Sequence, residues 1–388
     1  MTLSEVARLR HPDTIRRQSE RMLALATEGR LERWEIDLDR LPQLGRMVGE
    51  LTRARFPDLA VPTHGRRLHF RVGGIDLWET RPRPADRAEA ARSDVELIVV
   101  SVLLDAGSGP RWRYTDTRIP GELSRSEGLA VASFRAWERG AFSNHGLPRA
   151  DSEALSGLTA GSLAEAFQVT EDNPLVGTED RAALLRSLGR VSCGWPGRRV
   201  GGLYDLLSGQ VSPDGRLSAV VLLGILLEQL SPLWPDSTRL DGEYLGDVWP
   251  YAPLGLVPFH KLTQWLAYSL IEPLHAAGIT VTDVDRLTPL AEYRNGGLLI
   301  DGGALTPVAP GWRTTSHPVS SSLVVEWRAL TVALLSRLAE MVRGELGARL
   351  SMAQILEGGT WAAGRRLAAA ARPDASPPLN VLSNGTIF

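Results

Sequence analysis

The sequence predicts a mainly α-helical protein, one large helical unit over residues 1–388 with small β-hairpin insertions. Three observations carry this expectation. Apolar residues recur at helical spacing along most of the chain. Strand signals are confined to two short stretches, each folded about glycine. Glycine and proline cluster at 192–215, 232–258 and 307–318, but no cluster is long or polar enough for an interdomain linker. Length alone would allow two or three domains; the continuous pattern argues for one. Within it, residues 1–80 form an N-terminal subregion holding a hairpin, and 81–388 the helical catalytic core.

Taken in order, Met1 to Ala26 mixes arginine and glutamate among its apolar positions and lacks the apolar core of a secretory signal. Arg67–Val72 and Ile75–Glu79 flank Gly73-Gly74 and read as a hairpin, since glycine supplies positive φ at the turn. A helix is expected over 85–105. Ser124, followed three residues later by Glu127, forms a capping box that opens a helix ending near Gly140. Further helices are expected over 151–168, 179–190, 217–231, 260–277 and 322–346, with a shorter one over 352–371. Gly297–Ile300 and Ala304–Val308 flank Asp301-Gly302-Gly303 and read as a second hairpin.

The longest apolar runs, Val95–Leu104 and Ala219–Leu227, reach about half the length of a membrane-spanning helix, so a soluble cytoplasmic protein with no membrane partner is expected. Without a signal segment, the glycosylation-type triplet Asn384-Gly385-Thr386 is incidental. The formal net charge is −2 and the arginines are spread along the chain, which gives no basic stripe for nucleic acid. A single cysteine, Cys193, excludes an internal disulfide and a cysteine-rich zinc cluster, and suits a reducing compartment or a small core position. There is no glycine-rich phosphate loop with its lysine, no dinucleotide fingerprint, no His-Glu-x-x-His and no nucleophile elbow. No cofactor and no metal are therefore expected. The histidines are scattered; His64 and His69 would lie on opposite faces of a strand.

Lys261 is the lone lysine among 43 basic residues. Where arginine has replaced lysine almost everywhere, a surviving lysine marks a place for a compact ammonium whose pKa burial can lower. It follows His260 in the apolar and aromatic stretch Val257–Trp265. Three other polar groups sit among aromatics in the same half: Asp247 with Trp249; Glu292 with Tyr293, Arg294 and Asn295; and Glu326 with Trp327 and Arg328. Charges in apolar segments must be paired or used. Glu326 and Arg328, two positions apart on a helix, must reach different partners. Each group also has a structural reading: buried ion pairs for Glu326 and Arg328, a turn cap for Asp247. Glu357–Arg365 combines charge with small residues that could permit close helix packing.

Six segments together resemble the uracil catabolism protein 4 family of fungi and bacteria (DUF1688-type): Ser101–Gly107, Arg125–Ala130, Pro258–Leu262, Glu292–Gly297, Val325–Thr331 and Glu357–Arg365. The resemblance implies a place in a pyrimidine-degrading pathway that converts uracil to a ribonucleotide, opens its ring and releases urea. Its ring-opened intermediate is a ribosylurea, or its phosphate. A fainter similarity links Ala291–Arg294, Phe259–Gln264 and Glu326–Arg328 to the queuosine salvage N-glycosylase family, and implies a DNA-glycosylase-like helical architecture. This chain carries Glu292 where that family has aspartate, and Asn-Gly-Gly follows Arg294.

The two resemblances imply hydrolysis of the C1–N bond of ribosylurea (5-phosphate) to urea and ribose (5-phosphate). Glu292 would be the anionic catalytic group and Asp247 a second acid–base group. Tyr293, Arg294 and Asn295 would orient the carboxylate or hold the ribose. Lys261, with His260 and Arg328, would hold the phosphate, and Glu326, Trp249 and Trp327 would complete the substrate site. The partner is then a small-molecule substrate, with functional coupling to a ring-opening cyclohydrolase-like enzyme. Two alternatives stay open: a lyase or isomerase using Lys261 as a Schiff-base amine, and a non-catalytic partner that channels the ring-opening enzyme's product.

Overall fold

In the computed structural model, residues 4–382 are described, and Asn384-Gly385-Thr386 lies outside them. Helices dominate, and among the described residues every sheet has two strands. Helices at Arg87–Leu103, Arg125–Glu138, Thr178–Ser192, Ala219–Leu230, Lys261–Ala276 and Ser322–Leu346 match the expected ranges closely. The 151–168 segment divides at Gly157 into Ser152–Ser156 and Ala160–Ala166. The 352–371 segment becomes Met352–Ile355, a π-helical turn at Leu356–Thr360 and Trp361–Ala371.

Four expectations need correction. Gly297–Ile300 is not a strand: Tyr293–Asp301 is a helix, and Leu305–Pro307 pairs antiparallel with Trp34–Ile36 instead of folding back locally. Ser124 starts its helix, but its hydroxyl makes no capping bond, and Arg125 beside it takes φ 54°. His64 and His69 share no strand. His69 lies in the 3-10 helix Arg66–Phe70, and the expected hairpin shrinks to Arg71–Val72 against Ile75–Asp76. Cys193 is exposed rather than in the core.

The chain forms two compact units, each discontinuous in sequence. The first runs to His64 and adds Ser237–Gln264 and Asp283–Leu382. Its centre is Ser322–Leu346, with Pro12–Thr27 and Leu41–Arg55 packed along it. Proline at the first position and the His11 ring accepting from Asp13 N–H start Pro12–Thr27. Trp34 ties the Trp34–Ile36 strand to the central helix by donating to the Leu323 carbonyl at 3.0 Å. In the proline-rich 232–258 region, Val248–Tyr251 and Gly255–Pro258 form a hairpin in exact register, Val248 opposite Pro258.

Within the same unit, Trp361–Ala371 packs closely on Tyr293–Asp301. A Cβ at Gly364 would lie 2.2 Å from the Arg294 carbonyl oxygen, and backbone cannot step aside as a side chain can. Gly364→Ala is therefore expected to cost about 1–3 kcal/mol, the usual penalty of overpacking, measurable as a lower midpoint in chemical denaturation.

The second unit comprises Gly65–Asp236 and Trp265–Thr282. Arg87–Leu103 is its core helix, buried on every side from Val95 to Leu103. Even its Glu96 is fully buried, accepting from Arg199 Nε at 2.5 Å and from the N–H groups of Gly201 at 3.0 Å and Ala150 at 3.2 Å. Among the described residues no helix is long and apolar enough to cross a membrane.

Candidate active site

Apart from the helix that Lys261 begins, which continues into the second unit, every residue below belongs to the first unit. The hairpin ends at Pro258 and the chain then turns sharply, with His260 at φ 49°, before Lys261 starts a helix. A left-handed non-glycine residue needs surrounding contacts to hold it. Asp247 supplies them: its carbonyl accepts from Phe259 N–H at 2.9 Å, and its carboxylate accepts from Lys261 N–H at 3.0 Å.

That carboxylate is also clamped by Arg328, Nη1 to Oδ1 and Nη2 to Oδ2, both at 2.7 Å, and takes a bond from the Trp249 indole at 2.7 Å. Burial pushes this carboxyl up, but Arg328, helped by Lys261 N–H and Trp249, carries it down to about 2. Arg328 is 1% exposed, so its charge is spent on Asp247. The His260 ring is equally committed. Its Nε2 donates to the Leu9 carbonyl at 2.9 Å, and burial holds its pKa below the usual value, which leaves a neutral imidazole. Its buried Nδ1 has no hydrogen-bond partner among the described residues.

Glu292 is 7% exposed and caps the Tyr293–Asp301 helix. Its two oxygens accept from Arg294 N–H at 2.7 Å and Asn295 N–H at 2.6 Å. Burial raises its pKa above the ordinary glutamate value, against the pull of those N–H groups, Lys261 and Arg294. Lys261, 9% exposed, is thus an electrostatic neighbour of Glu292. Beside them Asn295 is 2% exposed; its Nδ2 donates to the Leu290 carbonyl at 3.3 Å, and its buried Oδ1 has no donor among the described residues. Arg294 lies 5.1 Å over the Tyr293 ring and donates to the Ala375 carbonyl at 3.0 Å.

Glu326 points elsewhere. Fully buried, its Oε1 accepts from Arg33 Nη1 and the Tyr251 hydroxyl, both at 2.9 Å, while Oε2 has no partner among the described residues. Burial raises its pKa. Trp327 donates to the Gly296 carbonyl at 3.2 Å, and a Cβ on Gly296 would stand 2.4 Å from its ring. The structure therefore joins Asp247, Trp249, Lys261 and Arg328 by hydrogen bonds, Glu292 and Asn295 by the Asn295 N–H, and Glu292 and Lys261 by charge. Glu326 and His260 have separate partners.

Sequence reasoning did not single out Arg33, Tyr251 or the His64–Glu357 pair, whose Nδ1 and Oε2 are 2.9 Å apart, with Arg55 on the other carboxylate oxygen at 2.8 Å. Nothing in the sequence pairs residues so far apart. The local signal was the Glu357–Arg365 segment, whose π-helical turn at Gly358-Gly359 lies against Val48 and Thr52. Among the described residues no cluster of three or more metal-ligating side chains occurs.

The family described as protein of unknown function (DUF1688) matches residues 8–388. The chain is 39% identical over 407 residues to protein urg3 of Schizosaccharomyces pombe, an alignment spanning the whole of both chains. It is 35% identical over 377 residues to uracil catabolism protein 4 of Lachancea kluyveri, across 85% of each chain.

Proposed function

The chain belongs to the family described as protein of unknown function (DUF1688), and we propose that it acts in uracil breakdown as an N-glycosidase on ribosylurea or its 5-phosphate. The pathway follows from the relative named uracil catabolism protein 4. The observation that carries the reaction is a buried carboxylate, Glu292, with a buried lysine acting on it. Helix caps are ordinarily serine, threonine, aspartate or asparagine. A glutamate sequestered from water at such a position, its proton held more tightly than usual, is suited to chemistry at the helix N-terminus.

Cleavage of the C1–N bond passes through an oxocarbenium-like state and needs an anion to stabilise the developing charge or activate water. Glu292, aimed by the N–H groups of Arg294 and Asn295, takes a proton from the attacking water as its oxygen bonds to C1, and that proton passes to the departing nitrogen as the C1–N bond breaks, so that neutral urea leaves. The Asn295 amide, whose Oδ1 is buried and without a donor among the described residues, accepts from a ureido N–H. Lys261 holds the anionic end of the substrate as a point charge. Asp247 and Arg328 neutralise each other, so their role is positioning: they fix the turn that presents Lys261. Glu326 and His260 act through the scaffold.

Purified protein incubated with ribosylurea 5-phosphate is expected to release urea, and absence of release would sink the assignment. Lys261→Arg is expected to keep measurable turnover with a raised KM, because arginine preserves the charge but not the compact ammonium. An enzyme working through a Schiff base would lose all activity in this variant, and borohydride would trap substrate on Lys261 of the wild type.

A further inference from the structure

Two segments that stand out in the sequence, Ser101–Gly107 and Arg125–Ala130, take no part in the Glu292 site. They meet in the second unit around Arg66, which is 0% exposed. Its Nε donates to Ser101 Oγ at 2.7 Å. Its Nη1 lies 2.9 Å from Asp105 Oδ1, 3.2 Å from Ser126 Oγ, 3.3 Å from the Ser126 carbonyl and 3.1 Å from His69 Nδ1. Ser126 in turn donates to Asp105 Oδ1 at 2.5 Å. The Asp105 segment is held from behind by the fully buried Arg181, which donates to the carbonyls of Leu104 at 2.5 Å, Ala106 at 3.1 Å and Gly107 at 2.8 Å.

We propose that Arg66, Asp105, Ser126 and His69 form a binding site for a small neutral molecule presenting a carbonyl beside an N–H, the edge of an amide or ureide. Arg66 Nη2 is buried with no hydrogen-bond partner among the described residues. Buried guanidinium N–H groups are seldom left so, because each unmade bond carries its full desolvation penalty. Arg66 and Ser126 both reach Asp105 through Oδ1, which leaves Oδ2 as the acceptor for a ligand. The cluster thus offers a donor and an acceptor together.

Its charges indicate which ligand suits it. Arg66 and Arg181 are opposed by Asp105 and by Glu127, both of which act on Arg66, so an anion gains little net attraction. A neutral group with its own donor and acceptor matches the pair. The His69 ring, packed on Trp265 with centroids 5.7 Å apart, adds a flat aromatic surface. This proposal is independent of the glycosidase reading.

Calorimetric titration of the full-length protein with uracil, whose ring sets N–H groups beside carbonyls, tests it. Saturable binding is expected, with none for 1,3-dimethyluracil, which keeps the shape and carbonyls but has no N–H. Ser126→Ala loosens Asp105 without unpairing Arg66 and should weaken uracil roughly fivefold, the scale of one net hydrogen bond. Arg66→Lys removes Nη2 and should abolish binding; if that variant fails to fold, Ser126→Ala decides. Repeating the titration in Glu292→Gln should change nothing, which separates this site from the proposed catalytic one. No heat with uracil, equal binding of both pyrimidines, tighter binding of inorganic phosphate, or an affinity indifferent to Ser126→Ala would each overturn the proposal.

Discussion

Glu292→Gln is expected to lower kcat for urea release from ribosylurea 5-phosphate by about 100- to 10,000-fold, the range that a positioned acid–base group contributes. The substitution is nearly isosteric, and the glutamine carbonyl can still accept one of the two N–H groups that Glu292 now takes from Arg294 and Asn295. The cap is weakened, at a cost on the order of 1 kcal/mol, far less than the kinetic effect. The pH profile separates the roles further. Burial raises the Glu292 carboxyl above the ordinary 4.5, so its active, ionised form is lost at higher pH than for an exposed glutamate. The acid limb of wild-type kcat/KM should accordingly lie above pH 4.5 and should be absent from the residual activity of Glu292→Gln. If Glu292 serves only as a helix cap, the variant will lose stability while releasing urea at nearly the wild-type rate.

Six helices from Arg87–Leu103 to Ser322–Leu346 were legible because their apolar periodicity is local, whereas Pro12–Thr27, Leu41–Arg55 and the capping bond expected of Ser124 were not. The second hairpin was misread for a tertiary reason. Asp301-Gly302-Gly303 looks like turn chemistry, but it ends the Tyr293–Asp301 helix, and Gly302 is small because the Leu44 side chain lies where its Cβ would be. Glycine reports close approach as readily as positive φ, and a single sequence does not say which. The Leu305–Pro307 strand is real, yet its partner is Trp34–Ile36, which no hairpin rule could supply. For the candidate site, Lys261 stands out in the sequence by its rarity and Glu292 by its aromatic and cationic neighbours, and the structure buries both. Helical spacing also implied different partners for Glu326 and Arg328, and they have them, Arg33 with Tyr251 for one and Asp247 for the other. The identity of those partners was not legible, because Asp247 and Arg328 meet across 81 residues.

Arg328→Ala is expected to destabilise the protein by about 3–5 kcal/mol, the cost of leaving a buried charge without its partner. Asp247 would keep its bonds from Lys261 N–H and Trp249 but lose both guanidinium contacts in a site where it is only 8% exposed. The sign of the pH dependence follows from its depressed carboxyl: the stabilisation is complete above the unfolded value of 3.8 and is lost as pH falls through about 2. Arg328→Ala should therefore be most costly at neutral pH, with the difference from wild type shrinking as pH falls through the carboxylate range towards 2. Replacing both partners by apolar residues, Asp247→Leu with Arg328→Met, should recover much of the lost stability, since buried pairs are often worth no more than good packing. Activity should not recover with it. The left-handed turn at His260 and the first N–H of the Lys261 helix are anchored through Asp247, and an apolar side chain restores volume without that anchor. A double variant that regained both stability and urea release would show that the pair does nothing for Lys261; one that regains stability alone places the pair in service of the site.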